Sequence, residues 1–309
     1  MPPPSTTLPF RLVALLAAVS AWALVAVGGV VRITESGLGC PDWPLCDGRV
    51  VPAGSTAAAF EFSHRATAAA VIIVTIVVAA WAWMRYRPRR DLLVPATAAV
   101  AFIPGQALLG AVVVWLELPG WMVGVHFVIG LLFLAATTLT AVAAWPRPAA
   151  AATRGFVRLA RATLAAGLAL VSLGAAVVAM DADHACGAQW PACNGSLAAG
   201  GPEAAVQVAH RTVAYATTAL IVALAVLAWR GRGPRLLAAL PLAAAVAQFG
   251  FGVALVVTET KTAHEVFAGL HVAGSGAVWA LLVLLAVRVE PPRWVRARTA
   301  RMGAPVTAR

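Results

Sequence analysis

Four histidines recur in register along this 309-residue chain. Cys40 lies 24 residues before His64, and Cys186 lies 24 before His210; His64 precedes His126 by 62 residues, and His210 precedes His271 by 61. Each histidine falls near the start of an even-numbered apolar segment, so all four imidazoles lie at one depth, near the same face of a membrane. Ionisable groups inside a span are costly and mark functional sites. A lone histidine of this kind is often a core residue bonded to a neighbouring helix, but repetition in register makes that reading poor for the set. Two imidazoles from facing helices suit the two axial positions of a haem iron. A zinc or di-metal centre would call for further inward carboxylates or thiolates. The spacing therefore predicts two haem sites, with His64 and His126 in one and His210 and His271 in the other.

The flanking residues add detail. Glu61 precedes His64 by three residues and shares its helical face, whereas Gln207 stands at the matching place before His210. A carboxyl buried there suits proton exchange near neutral pH, so the first site is expected to perform proton-coupled chemistry and the second to hold a haem for structure or electron transfer. The bland alternative is an interfacial glutamate facing water. Arg65 and Arg211 follow their histidines; they pair with haem propionates or end the apolar run by snorkelling. Gly124, Gly130, Gly269, Gly274 and Gly276 admit either a flat macrocycle or close helix packing. Gln106 and Gln248 match between halves and read as interhelical hydrogen-bonding residues in preference to substrate contacts. His184 and His264 have no repeat partners and read as solvated loop residues.

The elements that must position these groups are apolar. Hydrophobic residues make up 61% of the chain and charged ones 11%, with a mean hydropathy of +0.86; soluble domains carry about 25% charged residues. This is an integral membrane protein. Eight stretches reach the length of about 20 residues that a spanning helix needs: Leu12–Val31, Ala66–Met84, Leu92–Leu116, Trp121–Trp145, Ala162–Met180, Thr212–Trp229, Leu236–Thr258 and Val266–Val287. None alternates as a β-barrel strand would. The first is longer than a signal-peptide core and reads as a retained helix.

The net charge of +11 is a topology signal, not a sign of nucleic-acid binding. The termini and the segments after the second, fourth and sixth spans hold 18 of the 23 basic residues, among them Arg85, Arg87, Arg89, Arg147, Arg293 and Arg296, with only Asp91 and Glu290 as acids. The opposite side carries 5 basic and 10 acidic residues. The positive-inside rule then places both termini in the cytoplasm. All four cysteines fall on the outer side, where an oxidising compartment permits disulfides. Their number and paired spacing predict bridges Cys40–Cys46 and Cys186–Cys193, either as structural staples or as a labile redox pair.

The halves repeat beyond the histidines. The first reads CPDWPLCDG, EFSHR, QALLG and GVHFVIG; the second reads CGAQWPACNG, QVAHR, QFGFG and GLHVAGSG. Four spans per half give both halves the same orientation, as parallel repeats related by an axis along the membrane normal. The expected fold is all-α and membrane-integral, with two tandem four-helix bundles, residues 1–153 and 154–309, joined by the Pro/Ala/Arg stretch near Pro146–Gly155.

With VRITESGLGCPDWPLCDG, Glu61-Phe62-Ser63-His64-Arg65, His126, His210-Arg211 and His271 in place, the chain resembles the haem A synthase family from about Leu12 to Val287. The paired cysteines resemble the subgroup with loop disulfides, and Glu35 departs from the small or polar residue expected in the first loop. The resemblance implies an oxidoreductase that converts the C8 methyl of haem O to the formyl group of haem A by successive hydroxylations. It implies substrate haem at His64, His126 and Glu61 in the first half, and a haem B cofactor at His210 and His271 in the second. It assigns Cys40 and Cys46 to the pair implicated in the reaction and Cys186 and Cys193 to a more structural pair. It also implies a bacterial plasma-membrane location, haem O synthase (protohaem farnesyltransferase) and oxidase assembly factors as partners, and leaves room for a homo-oligomer. A non-enzymatic di-haem b-type cytochrome would carry the same histidines, but Glu61 against Gln207 argues against two equivalent sites. A transporter on repeats would place its polar site at the midplane, away from these histidines.

Overall fold

The computed structural model describes residues 5–52, 54–145, 149–191, 193, 195 and 200–290. Among them run eight helices: α1 (Leu8–Ile33), α2 (Thr56–Arg85), α3 (Arg90–Trp115), α4 (Gly120–Ala144), α5 (Arg154–Ala179), α6 (Pro202–Trp229), α7 (Arg235–Val257) and α8 (Lys261–Val289). Each is long and apolar enough to cross a membrane. In hydrocarbon no water satisfies a backbone N–H or C=O, and a continuous helix closes these bonds within itself.

All eight expected spans are helical, but α2 and α6 begin about ten residues upstream of the apolar stretches and α8 about five. The apolar run stops at Arg65 and Arg211; the backbone does not. The Ser55 hydroxyl accepts from the Ala58 N–H at 3.0 Å and starts α2, Pro202 opens α6, and Thr260 caps α8. A serine or threonine oxygen satisfies one of the helix's orphan N–H groups, and proline in the first turn forfeits no bond. The histidines therefore sit roughly one and a half to three turns inside their helices, roughly 9 to 15 Å along the axis from the helix start at 1.5 Å per residue.

Each half closes on itself, α1 against α4 and α5 against α8. Between the halves α1 packs on α8, α5 on α4, and α4 on α8. Exchanging the halves maps the first of these contacts onto the second, as a two-fold axis along the membrane normal requires. On α1 the alternation of faces is plain: Phe10, Ala14, Ala17 and Ala21 are buried while Leu8, Leu12, Leu16 and Val19 stay exposed, the latter facing lipid.

Lipid tails are as apolar as leucine, so close packing and hydrogen bonds hold the seam. The Trp22 indole donates to the Ala273 carbonyl and the Trp279 indole to the Leu131 carbonyl, each at 2.8 Å. At the end of the bundle where α1 begins and α8 ends, the Thr6 hydroxyl donates to the Ala144 carbonyl at 2.6 Å and Arg288 to the Trp145 carbonyl at 3.0 Å. The link at 146–148, Arg147 within it, and the tail arginines Arg293, Arg296, Arg298, Arg301 and Arg309 lie outside the described residues.

Gly120 sets the approach of α4 to α5: a Cβ there would meet the Ala179 carbonyl oxygen at 2.5 Å and its Cα at 3.0 Å. Backbone cannot swing aside, so Gly120→Ala should destabilise the protein by about 1–3 kcal/mol, the usual cost of overpacking. Gly105→Ala, where nothing lies within 4 Å, should be neutral or slightly stabilising. Thermal unfolding of the two variants in detergent checks this; equal melting temperatures would contradict the crossing described.

Candidate functional site

Every one of the four histidines lies against a glycine of the helix before it. A Cβ on Gly28 of α1 would stand 2.9 Å from His64 Cε1, on Gly110 of α3 3.4 Å from His126 Cε1, on Gly174 of α5 3.3 Å from His210 Cε1, and on Gly252 of α7 3.0 Å from His271 Cε1. A side chain at Gly28, Gly174 or Gly252 would crowd the ring, whereas at Gly110 its Cβ would only touch it. The glycines singled out from the sequence behave differently. Gly124 packs near the Ala175 carbonyl, Gly276 packs near Trp22, and Gly130 and Gly274 make room for the matched Gln106 and Gln248. The four ring-facing glycines were legible in the repeat: Gly28 and Gly174 each lie twelve residues before the first cysteine of their half, and Gly110 and Gly252 four residues after the matched glutamines.

His210 and His271 reach toward each other from α6 and α8, with ring centroids 6.4 Å apart and planes at 72°. Two bonds of about 2 Å from one metal ion to facing ring nitrogens would need a centroid separation of roughly 6 Å. His210 and His271 would be the residues to hold a haem iron. His64 on α2 and His126 on α4 are the corresponding histidines of the first half, and both have Nδ1 buried without a partner among the described residues. The pairs differ in their support. The Gln248 amide nitrogen lies 3.1 Å from His271 Nδ1, which fixes the orientation of the ring. Gln106 instead donates to the His126 carbonyl at 3.0 Å.

Glu61 and Arg65 close the first disulfide loop onto α2. The carboxylate of Glu61, 4% exposed, accepts from the Cys40 N–H at 2.7 Å and is ion-paired with Arg65 one turn on. Arg65 also donates to the Cys40 carbonyl at 2.8 Å and the Asp42 carbonyl at 2.7 Å. In the second half Gln207 donates to the Asp183 carbonyl at 3.0 Å and Arg211 to the Gln189 carbonyl at 2.9 Å. Each arginine thus ties its disulfide loop to the helix that carries the histidine before it. Both cysteine bridges are formed, Cys40–Cys46 and Cys186–Cys193. Gly39 lets the first loop lie against α2, since a Cβ there would stand 2.4 Å from the Ala57 carbonyl carbon. Glu35 and its repeat counterpart Asp181 both take a left-handed conformation, φ +51° and +48°, turning the chain out of α1 and α5 into these loops.

Asp42 holds the far side of the loop. It accepts from the Gly48 N–H at 2.9 Å and the Asp47 N–H at 2.7 Å, and these bonds, that of Gly48 first, hold its carboxyl below the usual range. Its support for the loop is therefore full above the ordinary aspartate pKa and is lost as pH falls through the lowered one.

The family model described as a cytochrome oxidase assembly protein, COX15-CtaA, matches residues 11–60 and 54–285. The chain belongs to this family. Among curated relatives, the heme A synthase of Halalkalibacterium halodurans is 34% identical over 175 residues, covering 54% of this chain and 58% of the relative. That of Alkalihalophilus pseudofirmus is 31% identical over 264 residues, 81% of this chain and 88% of the relative. That of Exiguobacterium sibiricum is 31% identical over 198 residues, 62% and 65% respectively. The matched region is thus less than two thirds of the first and third relatives' lengths and most of the second's. The named relatives are bacterial, and the eight apolar helices mark this chain as a multi-pass membrane protein.

The clamp separates two substitutions. Glu61→Gln keeps an acceptor for the Cys40 N–H and should leave the first loop ordered, as a glutamine does in the second half. Arg65→Ala leaves a buried carboxylate without its partner and should cost about 3–5 kcal/mol. Amide hydrogen exchange across residues 34–55 reads the difference: fast exchange in Arg65→Ala alone is expected, and equal protection in both would contradict the clamp.

Proposed function

We propose that this chain is a haem A synthase, an oxidoreductase that takes haem O as substrate and oxidises its C8 methyl to the formyl group of haem A by successive hydroxylations. The observation that carries the reading is the facing His210–His271 pair, whose separation would leave room for a haem iron between the rings, duplicated in register by His64 and His126 in a chain whose relatives bear the heme A synthase name.

In this reading His64 and His126 hold the substrate haem in the half spanning residues 1–153, and His210 and His271 hold haem B in the half spanning 154–309. Haem B supplies one-electron transfer. Gln248 steadies His271 through Nδ1, and the glycines of the odd-numbered helices keep the four rings upright. Glu61 is the proton-handling group. Its Oε2 is anchored by the Cys40 amide and its other oxygen faces Arg65, so a proton can come and go at a carboxylate whose position does not change. Gln207 cannot do this, which assigns the chemistry to the first half. Cys40–Cys46 sits on the same carboxylate and belongs to the reactive side; Cys186–Cys193 staples the loop of the second. The Arg-rich end, termini included, faces the cytoplasm, so both sites lie toward the outer leaflet. Haem O arrives from haem O synthase (protohaem farnesyltransferase), and the product passes to oxidase assembly factors.

His64→Ala should abolish haem A formation while the b-type spectrum of the second half survives. Glu61→Gln, which keeps the loop closed, should lower the rate by about 10²–10⁴-fold, the usual contribution of a positioned acid–base group. His271→Ala should remove the b-type signal. Near-wild-type haem A output from His64→Ala would overturn the assignment of the reactive half, and undiminished output from Glu61→Gln would reduce Glu61 to a clamp.

A further inference from the structure

Above the second pair, on the disulfide-loop face, Asp183, His184 and His264 bring three ligand atoms within 4.8 Å of one another. They come from segments far apart in the chain: Asp183 and His184 from the loop between α5 and α6, and His264 from the first turn of α8. We propose that this triad is a divalent-cation site of the zinc class, with two imidazoles and one carboxylate as protein ligands and a fourth position open to water.

The ring geometry separates this cluster from the haem-ligating pair. The His184 and His264 rings have centroids 5.3 Å apart and planes 28° from parallel. Two imidazoles bound to one ion at a tetrahedral angle, with bonds of about 2 Å, place their centroids roughly 5 Å apart, less than the linear arrangement requires. The Asp183 carboxylate completes the set, 3.5 Å from His184 Nε2. Two histidines and a carboxylate with an open position form a donor set that zinc favours. His184 and Asp183 are exposed, with side chains 77% and 52% accessible, so the ligands are free to close in by roughly an ångström on an ion of bond length about 2 Å. Their backbone is anchored at the same time: the Asp183 carbonyl takes the Gln207 amide, and the His264 N–H is bonded to the Thr260 carbonyl at 2.9 Å.

The corresponding junction of the first half is apolar. The matching loop positions are Gly37 and Leu38, and Gly37 lies against Leu118 at the approach to α4, where a Cβ would stand 2.9 Å from Leu118 Cδ1. Each half thus ties its disulfide loop to the start of its last helix, the first by hydrophobic contact and the second by the triad. An ion there joins the α5–α6 loop to α8 seven residues before His271, and so fastens the outer end of the helix that carries a haem ligand.

The test uses the full-length protein in detergent, stripped with a chelator and then equilibrated with Zn²⁺ against a chromophoric competitor. One zinc per chain at micromolar affinity or tighter is expected, weakened at least tenfold in His184→Ala and in His264→Ala, with His64, His126, His210 and His271 untouched. Loading with Co²⁺ should give the intense visible bands of a tetrahedral ion in the wild type and not in the His184→Ala/His264→Ala double variant. Because both side chains lie at the surface-facing junction, the haem spectrum of the variants should equal that of the wild type and reports that they are folded. Zinc uptake unchanged by the double substitution, or no zinc held by the wild-type chain, would overturn the site.

Discussion

An imidazole on one helix of a four-helix ring can face another on the diagonal helix only where the helix between them gives way. Here it gives way at four glycines. Gly28, Gly174 and Gly252 each stand where a methyl group would crowd a histidine ring, and Gly110 where it would touch one, so that every ring lies against bare backbone of the preceding helix. The rest of the molecule serves this alignment. The repeat duplicates it, the indole hydrogen bonds of Trp22 and Trp279 lock the two copies together, and the helix extensions above the apolar stretches bring the histidines down from the helix ends to a protected depth.

The loops are the second constraint, because they cover the ends of the helices that carry the histidines. An ion pair is costly to bury unless its remaining atoms are bonded, and Glu61 and Arg65 satisfy theirs with the Cys40 amide and loop carbonyls. The same two positions in the second half, Gln207 and Arg211, close a similar loop with a neutral amide in place of the carboxylate. A clamp does not need a charge at this position. Its presence in one half alone is what the proposed proton chemistry accounts for.

Much of this was legible in the residues. The eight spans, the duplication, the histidine register and the cysteine pairs all follow from apolar run length and spacing, which are local properties. The helix starts were less legible, because an arginine ends an apolar run without ending a helix. The loop contacts of Arg65 were not legible: carbonyls more than twenty residues away take the guanidinium, and only the folded loop brings them there. His184 and His264 read as solvated loop residues for the same reason, their nearness being a product of the α5–α6 loop lying over the first turn of α8.

The central claim is that each half holds one haem between its two histidines and that the halves are chemically unequal. Pigment extracted from the purified chain, expressed with and without a haem O supply, tests it most directly. The account predicts one haem B per chain without haem O, and a second pigment, recovered as haem O and haem A, when it is supplied. Two equivalents of haem B under both conditions would contradict it.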